Sequence, residues 1–370
     1  MKRRFALVLS LVLSIAFVLS ACSSDSKSAS EKLLDSMEKS AEIKSYGLKG
    51  SLAIQDLNLP EEVMQEEGAA GALGLLQNAE LSWTGAYRAD PMMVELNMKI
   101  SISGDLAMSF QIPIVMTEEK MWLKVPNIPM LGLPEDIVDK FVEFDLKELA
   151  EQQGTEIPST MDVGLLTKFA NDLYAIVFKH IDEKTYLSSK SVKDAGIPSD
   201  AGVKSVVQLH VTQDQVEPLV NTIIKDIAPE VIELLASNEE YRNMLQLETG
   251  DLDEAKKSLE ETTDADVKDA MTEFNSAVKS LDAVANFGID DKGYASYTDM
   301  VVKAEIEDNG QSGSGTIKVV SQMSDINADP KFEYGEPKAE DIVPMEDLMA
   351  MFGGYMGEDL GTEFETESGL

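Results

Sequence analysis

The fold is decided by residues 92–116, which read MMVELNMKISISGDLAMSFQIPIVM. Apolar residues occupy every second position up to Ile102, with polar residues such as Glu95, Asn97 and Lys99 between them. Gly104-Asp105 is typical of a turn, and the alternation resumes from Leu106. Strict alternation predicts two antiparallel strands that share one apolar face and one solvated face.

The sequence on either side of this hairpin extends it into a meander. Leu81, Trp83 and Tyr87 alternate along a preceding strand, and residues 120–125 form a following one. The longest predicted strands of the meander have about 11 residues, whereas strands in globular proteins typically have five or six. Strands of this length favour a curved sheet or a half-barrel.

Amphipathic helices are predicted on both sides of the meander. Apolar residues recur at helical spacing, and the end points are indicated by sequences such as the Thr212–Gln215 capping box. The predicted helices span 30–43, 162–179, 212–227 and 263–287, and further hairpins are expected near 186–211 and 300–323. The fold class is therefore α+β, a curved antiparallel sheet with helices packed on its concave face.

The first 22 residues predict export and lipid anchoring. Lys2, Arg3 and Arg4 precede an apolar run of 15 residues and then Leu19-Ser20-Ala21-Cys22. The run is too short for a spanning helix, and a cationic start before it is typical of a signal peptide. Leu19–Cys22 resembles the bacterial lipobox, whose cysteine receives a diacylglyceryl group. The resemblance implies cleavage before Cys22 and anchoring on the extracytoplasmic face of the cell membrane.

The composition excludes some partners. The chain has 67 acidic and 31 basic residues, a net charge of −36. A surface of this charge repels nucleic acid, so no nucleic-acid partner is expected. Cys22 is the only cysteine, so its lipidation would leave no thiol for catalysis, disulfides or metal binding.

Catalytic and metal motifs are not found in the sequence. Only His180 and His210 could supply imidazole, and neither lies in a nucleophile or H-E context. An EF-hand loop starting at Asp264 fails, because positions six and twelve are Asp269 and Asn275. We therefore expect a protein that is not an enzyme and has no cofactor and no bound metal.

The apolar strand face is the remaining candidate site. It is rich in methionine, a flexible side chain that suits adaptable apolar binding surfaces. Two interpretations are open: the face is simply core beneath the helices, or it lines a lipid-binding groove. The candidate ligand-binding residues are Met92, Val94, Met98, Ile100, Met108, Phe110, Ile112 and Met116.

The order of elements resembles the LolA/LppX-like bacterial lipoproteins. The likeness rests on the lipobox, on Lys44-Ser45-Tyr46 entering a strand, on the meander, and on Asp325-Ile326-Asn327 before Pro330-Lys331-Phe332. It implies a half-barrel that carries lipid or acyl chains in an apolar groove. The implied organisation is a signal peptide at 1–21, a Ser-rich tether at 22–30, the half-barrel at 31–345 and an acidic tail at 346–370.

The predicted function is therefore a membrane-anchored surface lipoprotein that binds a lipid or another apolar ligand. Two alternatives stay open. One is a non-enzymatic envelope interaction or sensor lipoprotein with a filled core. The other is a solute-binding protein, which would need repeated βαβ units.

Overall fold

The computed structural model describes residues 27–59, 73–74, 77–103, 107–128, 133–148, 163–308 and 310–344. Over these residues the protein is α+β, with one open, curved sheet of twelve strands and eight α-helices. The predicted signal peptide with Cys22, most of the predicted tether and the predicted acidic tail lie outside the described residues.

The strands are β1 (Ser45–Asn58), β2 (Ala79–Ala89), β3 (Met92–Ile102), β4 (Met108–Met116), β5 (Lys120–Lys124), β6 (Phe141–Asp145), β7 (Leu187–Lys190), β8 (Ser205–Thr212), β9 (Val278–Ile289), β10 (Tyr297–Asp308), β11 (Gln311–Ser324) and β12 (Ile342–Val343). The helices are α1 (Ala29–Ser40), α2 (Val163–His180), α3 (Glu183–Tyr186), α4 (Gln213–Thr222), α5 (Ala228–Ser237), α6 (Glu239–Met244), α7 (Thr249–Glu261) and α8 (Asp264–Ala277).

The sheet is built from neighbouring strands of the chain, in the order β12-β6-β5-β4-β3-β2-β1-β11-β10-β9-β8-β7. The predicted meander is confirmed: Val94 lies opposite Met116, and Ile102 lies opposite Met108. β1 pairs with β11 and so joins the meander to the later hairpins. Every described strand pair is antiparallel except β12 with β6.

The apolar residues of β3 and β4 belong to a face that continues across the sheet. Directly opposed residues of an antiparallel pair point to the same side. From Phe110 the register runs through Ile100, Leu81, Leu52, Val319, Met300 and Ala285 to Leu209. We call this side the inner face, and the opposite side the outer face.

The described helices pack on the inner face at one end of the sheet. Leu33 and Met37 of α1 and Tyr174 of α2 form a buried cluster with inner-face residues of β7 to β9, among them Val207 and Phe287. Helices α4 and α8 pack beside them around Leu281. The closest helix–strand packing thus falls on β7 to β10.

The predicted helix at 263–287 is wrong in its second half. Helix α8 ends at Ala277 and the chain passes directly into β9. Leu281, Ala283, Ala285 and Phe287 alternate with a period of two, and this pattern sits on the inner face opposite β8 and β10. Val284, opposite His210 and Val301, lies on the outer face. An alternating apolar segment with sheet neighbours on both sides is more stable as a strand, because its side chains pack against those of the adjacent strands.

The predicted helix at 212–227 is present but does not end there. Its capping box is confirmed, since the side chain of Gln215 accepts a hydrogen bond of 2.9 Å from the Thr212 amide. A π-turn at Ile223–Ile227 then leads into α5. Pro229 has no amide hydrogen to donate to residue 225, and a π-turn is a common way to accommodate such a break. The acidic segment at 248–262 forms helix α7, with Leu252 buried.

The outer face is covered by two segments without α-helix, each with one short 3-10 turn. Residues 191–203 pack Val192, Ile197 and Ala201 against Val206 and Tyr297. Residues 331–342 place Phe332, Tyr334 and Ile342 against Met93, Val115, Trp122 and Phe141. We call residues 325–343 the strap, because they run from the end of β11 to β12, the edge strand that pairs with β6.

The strap overturns the expectation that the polar side of β3 is solvated throughout. Glu95 is only 4% exposed. Its carboxylate accepts hydrogen bonds from the backbone amides of Glu333, Tyr334 and Gly335, at 2.7, 2.9 and 3.1 Å. The outer face is therefore buried around Glu95 and Met93, and becomes exposed at Lys99.

Candidate functional site

The candidate site is the inner face of β2, β3 and β4. The register places all eight predicted ligand-binding residues on this face. Met98 lies opposite Ile112, Ile100 opposite Phe110, and Val94 opposite Met116. Side chains opposed in this way have Cβ atoms about 5 Å apart, so they form a contiguous apolar surface.

This surface is less buried than a core. Each inner-face residue of β3 and β4 is partly exposed. On the outer face of the same strands, Met93 and Val115 are 6% and 0% exposed. At the end of β3 and β4 that the residues around Met93 and Val115 form, the sheet is thus more tightly covered on its predicted wet side than on its predicted dry side, whereas Lys99 and Gln111 on the wet side are exposed.

Residues of β1 and β2 enlarge the surface, although the sequence analysis did not include them in the site. Trp83 lies opposite Met98 and Gly50, and Tyr87 lies opposite Val94 and Tyr46. The alternation of Leu81, Trp83 and Tyr87 was visible in the sequence and was the signal that could have placed them here.

Gly50 explains how a tryptophan fits at the centre of this surface. A Cβ atom at position 50 would lie 2.4 Å from the indole of Trp83. The absence of a side chain at Gly50 therefore lets the ring pack directly on the β1 backbone. The indole becomes part of the inner face beside Met98, which also makes it a spectroscopic reporter for this surface.

The second tryptophan, Trp122, lies on the opposite side of the sheet. It is 4% exposed beneath the strap, and its indole N–H donates to Glu143 at 2.8 Å. The hydrogen bond from Lys120 to Glu143, at 2.7 Å, lowers the pKa of that carboxyl. The two tryptophans thus sample the two faces separately.

The tyrosines at one end of the site are uncharged. The ring centroids of Tyr46 and Tyr87 are 5.2 Å apart. Burial raises the pKa of Tyr87, and burial followed by the proximity of Tyr87 raises the pKa of Tyr46. Both hydroxyls therefore stay protonated at physiological pH and present neutral polar groups to an otherwise apolar wall.

The two histidines and the acidic residues are engaged in local contacts. The Nε2 atom of His180 lies 2.9 Å from Glu230, and that of His210 lies 3.4 Å from Asp282. Asp266 caps α8 by accepting a hydrogen bond from the Thr263 amide at 2.9 Å. Across the described ranges, no group of three His, Cys, Asp or Glu side chains is placed to hold a metal ion.

Two cavities lie away from the inner face. One of about 430 Å³ is on the outer side, lined by residues including Lys99, Gln111, Lys124 and Asp139. The other, of about 240 Å³, lies between α5, α7 and α8. None of the helices that the structure describes is long and apolar enough to cross a bilayer.

Comparisons with family models, curated proteins and solved structures gave no match for this chain.

Proposed function

We propose that the protein is a membrane-anchored lipoprotein that binds a lipid or a similar apolar ligand on the inner face of β2 to β4. The observation that carries the proposal is the uneven cover of that face. Helices α1 and α2 bury Val207 of β8 and Ala285 and Phe287 of β9, whereas the methionine-rich part on β3 and β4 stays partly exposed. An extended apolar surface of this kind is typical of ligand grooves and interaction sites.

In this proposal the curved sheet is a half-barrel whose concave side is the inner face, as in LolA/LppX-like lipoproteins. Cys22 carries a diacylglyceryl group after removal of residues 1–21. Two acyl chains are about what stable membrane anchoring requires. The anchor would keep the groove near a bilayer on the extracytoplasmic side, where apolar ligands are concentrated. No enzymatic step and no cofactor is part of the proposal.

The two alternatives make different demands on the structure. A solute-binding protein needs parallel βαβ units, whereas the described pairs are antiparallel apart from β12 with β6. An interaction or sensor protein with a filled core needs an inner face closed by its own side chains, which does not fit the exposure of β3 and β4.

The two tryptophans give a direct test of where an apolar ligand binds. We would reconstitute the full-length lipidated protein in phosphatidylcholine vesicles and add stearate dibrominated in mid-chain, since bromine quenches indole fluorescence at short range. In Trp122→Phe the remaining Trp83 should be quenched strongly. In Trp83→Phe the remaining Trp122, behind the sheet, should be quenched far less.

The control is built into the pair, because general membrane proximity would quench both tryptophans alike. Absence of quenching at Trp83 at saturating lipid would refute the proposal and favour the filled-core protein. Preferential quenching of Trp122 would contradict binding on the inner face and would indicate that the ligand binds in the cavity on the outer side.

Introducing a charge at position 98 distinguishes a ligand-binding groove from a filled core. In a groove, Met98→Glu should abolish binding of the brominated stearate and cost less than about 1 kcal/mol of stability, because the carboxylate keeps access to water. In a filled core it should unfold the protein. Urea unfolding monitored at Trp122 measures this, with Lys99→Glu on the exposed outer face as the matched control. A loss of several kcal/mol for Met98→Glu alone would contradict a groove.

A further inference from the structure

The hydroxyl of Tyr87 is a buried polar atom that has no hydrogen-bond partner among the described residues. It belongs to the inner face, because Tyr87 lies opposite Tyr46 on β1 and Val94 on β3 in a register without shifts. Most buried hydroxyls in proteins are paired, since leaving one unpaired is unfavourable. The inner face thus offers hydrogen-bonding capacity that its own residues leave unused.

The surroundings of Tyr87 define the chemistry of a partner. The inner-face residues of the neighbouring strands at this end are all uncharged: Tyr46, Ala89, Met92, Val94, Met116 and Met121. Burial keeps the hydroxyl protonated by raising its pKa, so it can donate a hydrogen bond. An apolar wall whose hydroxyl groups are all neutral disfavours an ionised carboxylate or phosphate, which would lose hydration without gaining a counter-charge.

The distance along β3 fits an acyl chain. From Val94, beside Tyr87, the apolar positions continue through Met98 to Ile102 at the far end of the strand. Eight residues of extended chain span about 27 Å. A ligand with its polar group at Tyr87 would therefore lie along the methionine-rich part of the face.

We propose that Tyr87 anchors a neutral lipid ester by donating its hydroxyl hydrogen to the ester carbonyl, while the acyl chain runs along β3 and β4 toward Ile102. This inference rests on the proposed function and narrows its ligand to uncharged esters such as acylglycerols. It also assigns Tyr87 as the residue that distinguishes such esters from hydrocarbons and from ionised fatty acids.

The test uses three probes with the same dibrominated stearyl chain: the methyl ester, the free carboxylate and the alkane. Quenching of Trp83 in the full-length Trp122→Phe protein, reconstituted in phosphatidylcholine vesicles, gives the affinity for each. The ester should bind most tightly. Tyr87→Phe should weaken the ester about ten-fold, the usual value of one buried neutral hydrogen bond, and leave the alkane unchanged. Tyr174→Phe, which removes a buried hydroxyl from the helix layer, should change none of the three.

The outcomes separate the anchor from the groove. Equal affinity of Tyr87→Phe and its parent for the ester would overturn the role of Tyr87 while leaving the groove intact. Tightest binding of the carboxylate would overturn the choice of a neutral ester. Failure of all three probes to quench Trp83 in the parent protein would refute the proposed function itself. A uniform loss for all three probes in Tyr87→Phe would show that the residue shapes the groove and does not recognise the ester.

Discussion

Glu95→Ala should destabilise the protein by about 3–5 kcal/mol, because each hydrogen bond between a backbone amide and a buried carboxylate contributes about 1.5–3 kcal/mol. Three such bonds, of 2.7, 2.9 and 3.1 Å, end on this one side chain. Alanine would leave three amides of the strap without their acceptor. The loss is limited by detachment of the strap, which would return those amides to water at the expense of the contacts of Phe332 and Tyr334 with the outer face.

Urea unfolding measures the loss, and hydrogen exchange at residues 333–335 locates it. We expect fast exchange at these three amides in Glu95→Ala even where the rest of the sheet stays protected. Glu80→Ala is the matched control, since Glu80 is an exposed glutamate on the adjoining strand β2; such surface changes usually stay within about 0.5 kcal/mol. A Glu95→Ala protein as stable as Glu80→Ala would show that the strap is held by its apolar contacts alone.

Glu95 also shows where the sequence stops predicting the fold. Alternation in residues 92–116 correctly predicts the strands, their pairing and which side chains share a face. It cannot tell which face is covered, because cover depends on other parts of the chain. The backbone amide of Glu333, which donates to Glu95, is 238 positions away in the sequence. Nothing in the local pattern marks Glu95 as different from Lys99.

The junction of α8 and β9 illustrates a second limit. Val267, Met271 and Phe274 follow helical spacing and are buried as predicted, but the same spacing can be extended through Val278, Leu281 and Val284 by chance. The period of two in residues 281–289 competes with it, and only the presence of β8 and β10 on either side decides the outcome. The eight candidate site residues needed just one strand pair and were placed together, whereas Trp83 required the pairing of β2 with β3 and Tyr46 also required that of β1 with β2.

Gly85→Ala should be the second severe change, with a loss of about 3 kcal/mol or more, because the new methyl group would meet backbone and not a movable side chain. A Cβ atom at position 85 would lie 2.1 Å from the carbonyl oxygen of Glu95 and 3.1 Å from its carbonyl carbon. Strand β3 would have to move away from β2 at the residue that holds the strap. We therefore expect Gly85→Ala to weaken the inner face and the strap together.

Thermal or urea unfolding gives the total loss, and exchange at residues 333–335 tests the link to Glu95. Gly250→Ala is the matched control. A Cβ atom at Gly250 meets nothing within 4 Å, and the residue lies in α7, so alanine there should stabilise the protein by about 0.5 kcal/mol through helix propensity and reduced freedom of the unfolded chain. A loss of stability in Gly85→Ala and a gain in Gly250→Ala would show that the close approach of β3 to β2 causes the loss, and not the replacement of a glycine as such. If Gly85→Ala were tolerated as well as Gly250→Ala, the two strands could separate at low cost, and the link between the inner face and the strap would be lost.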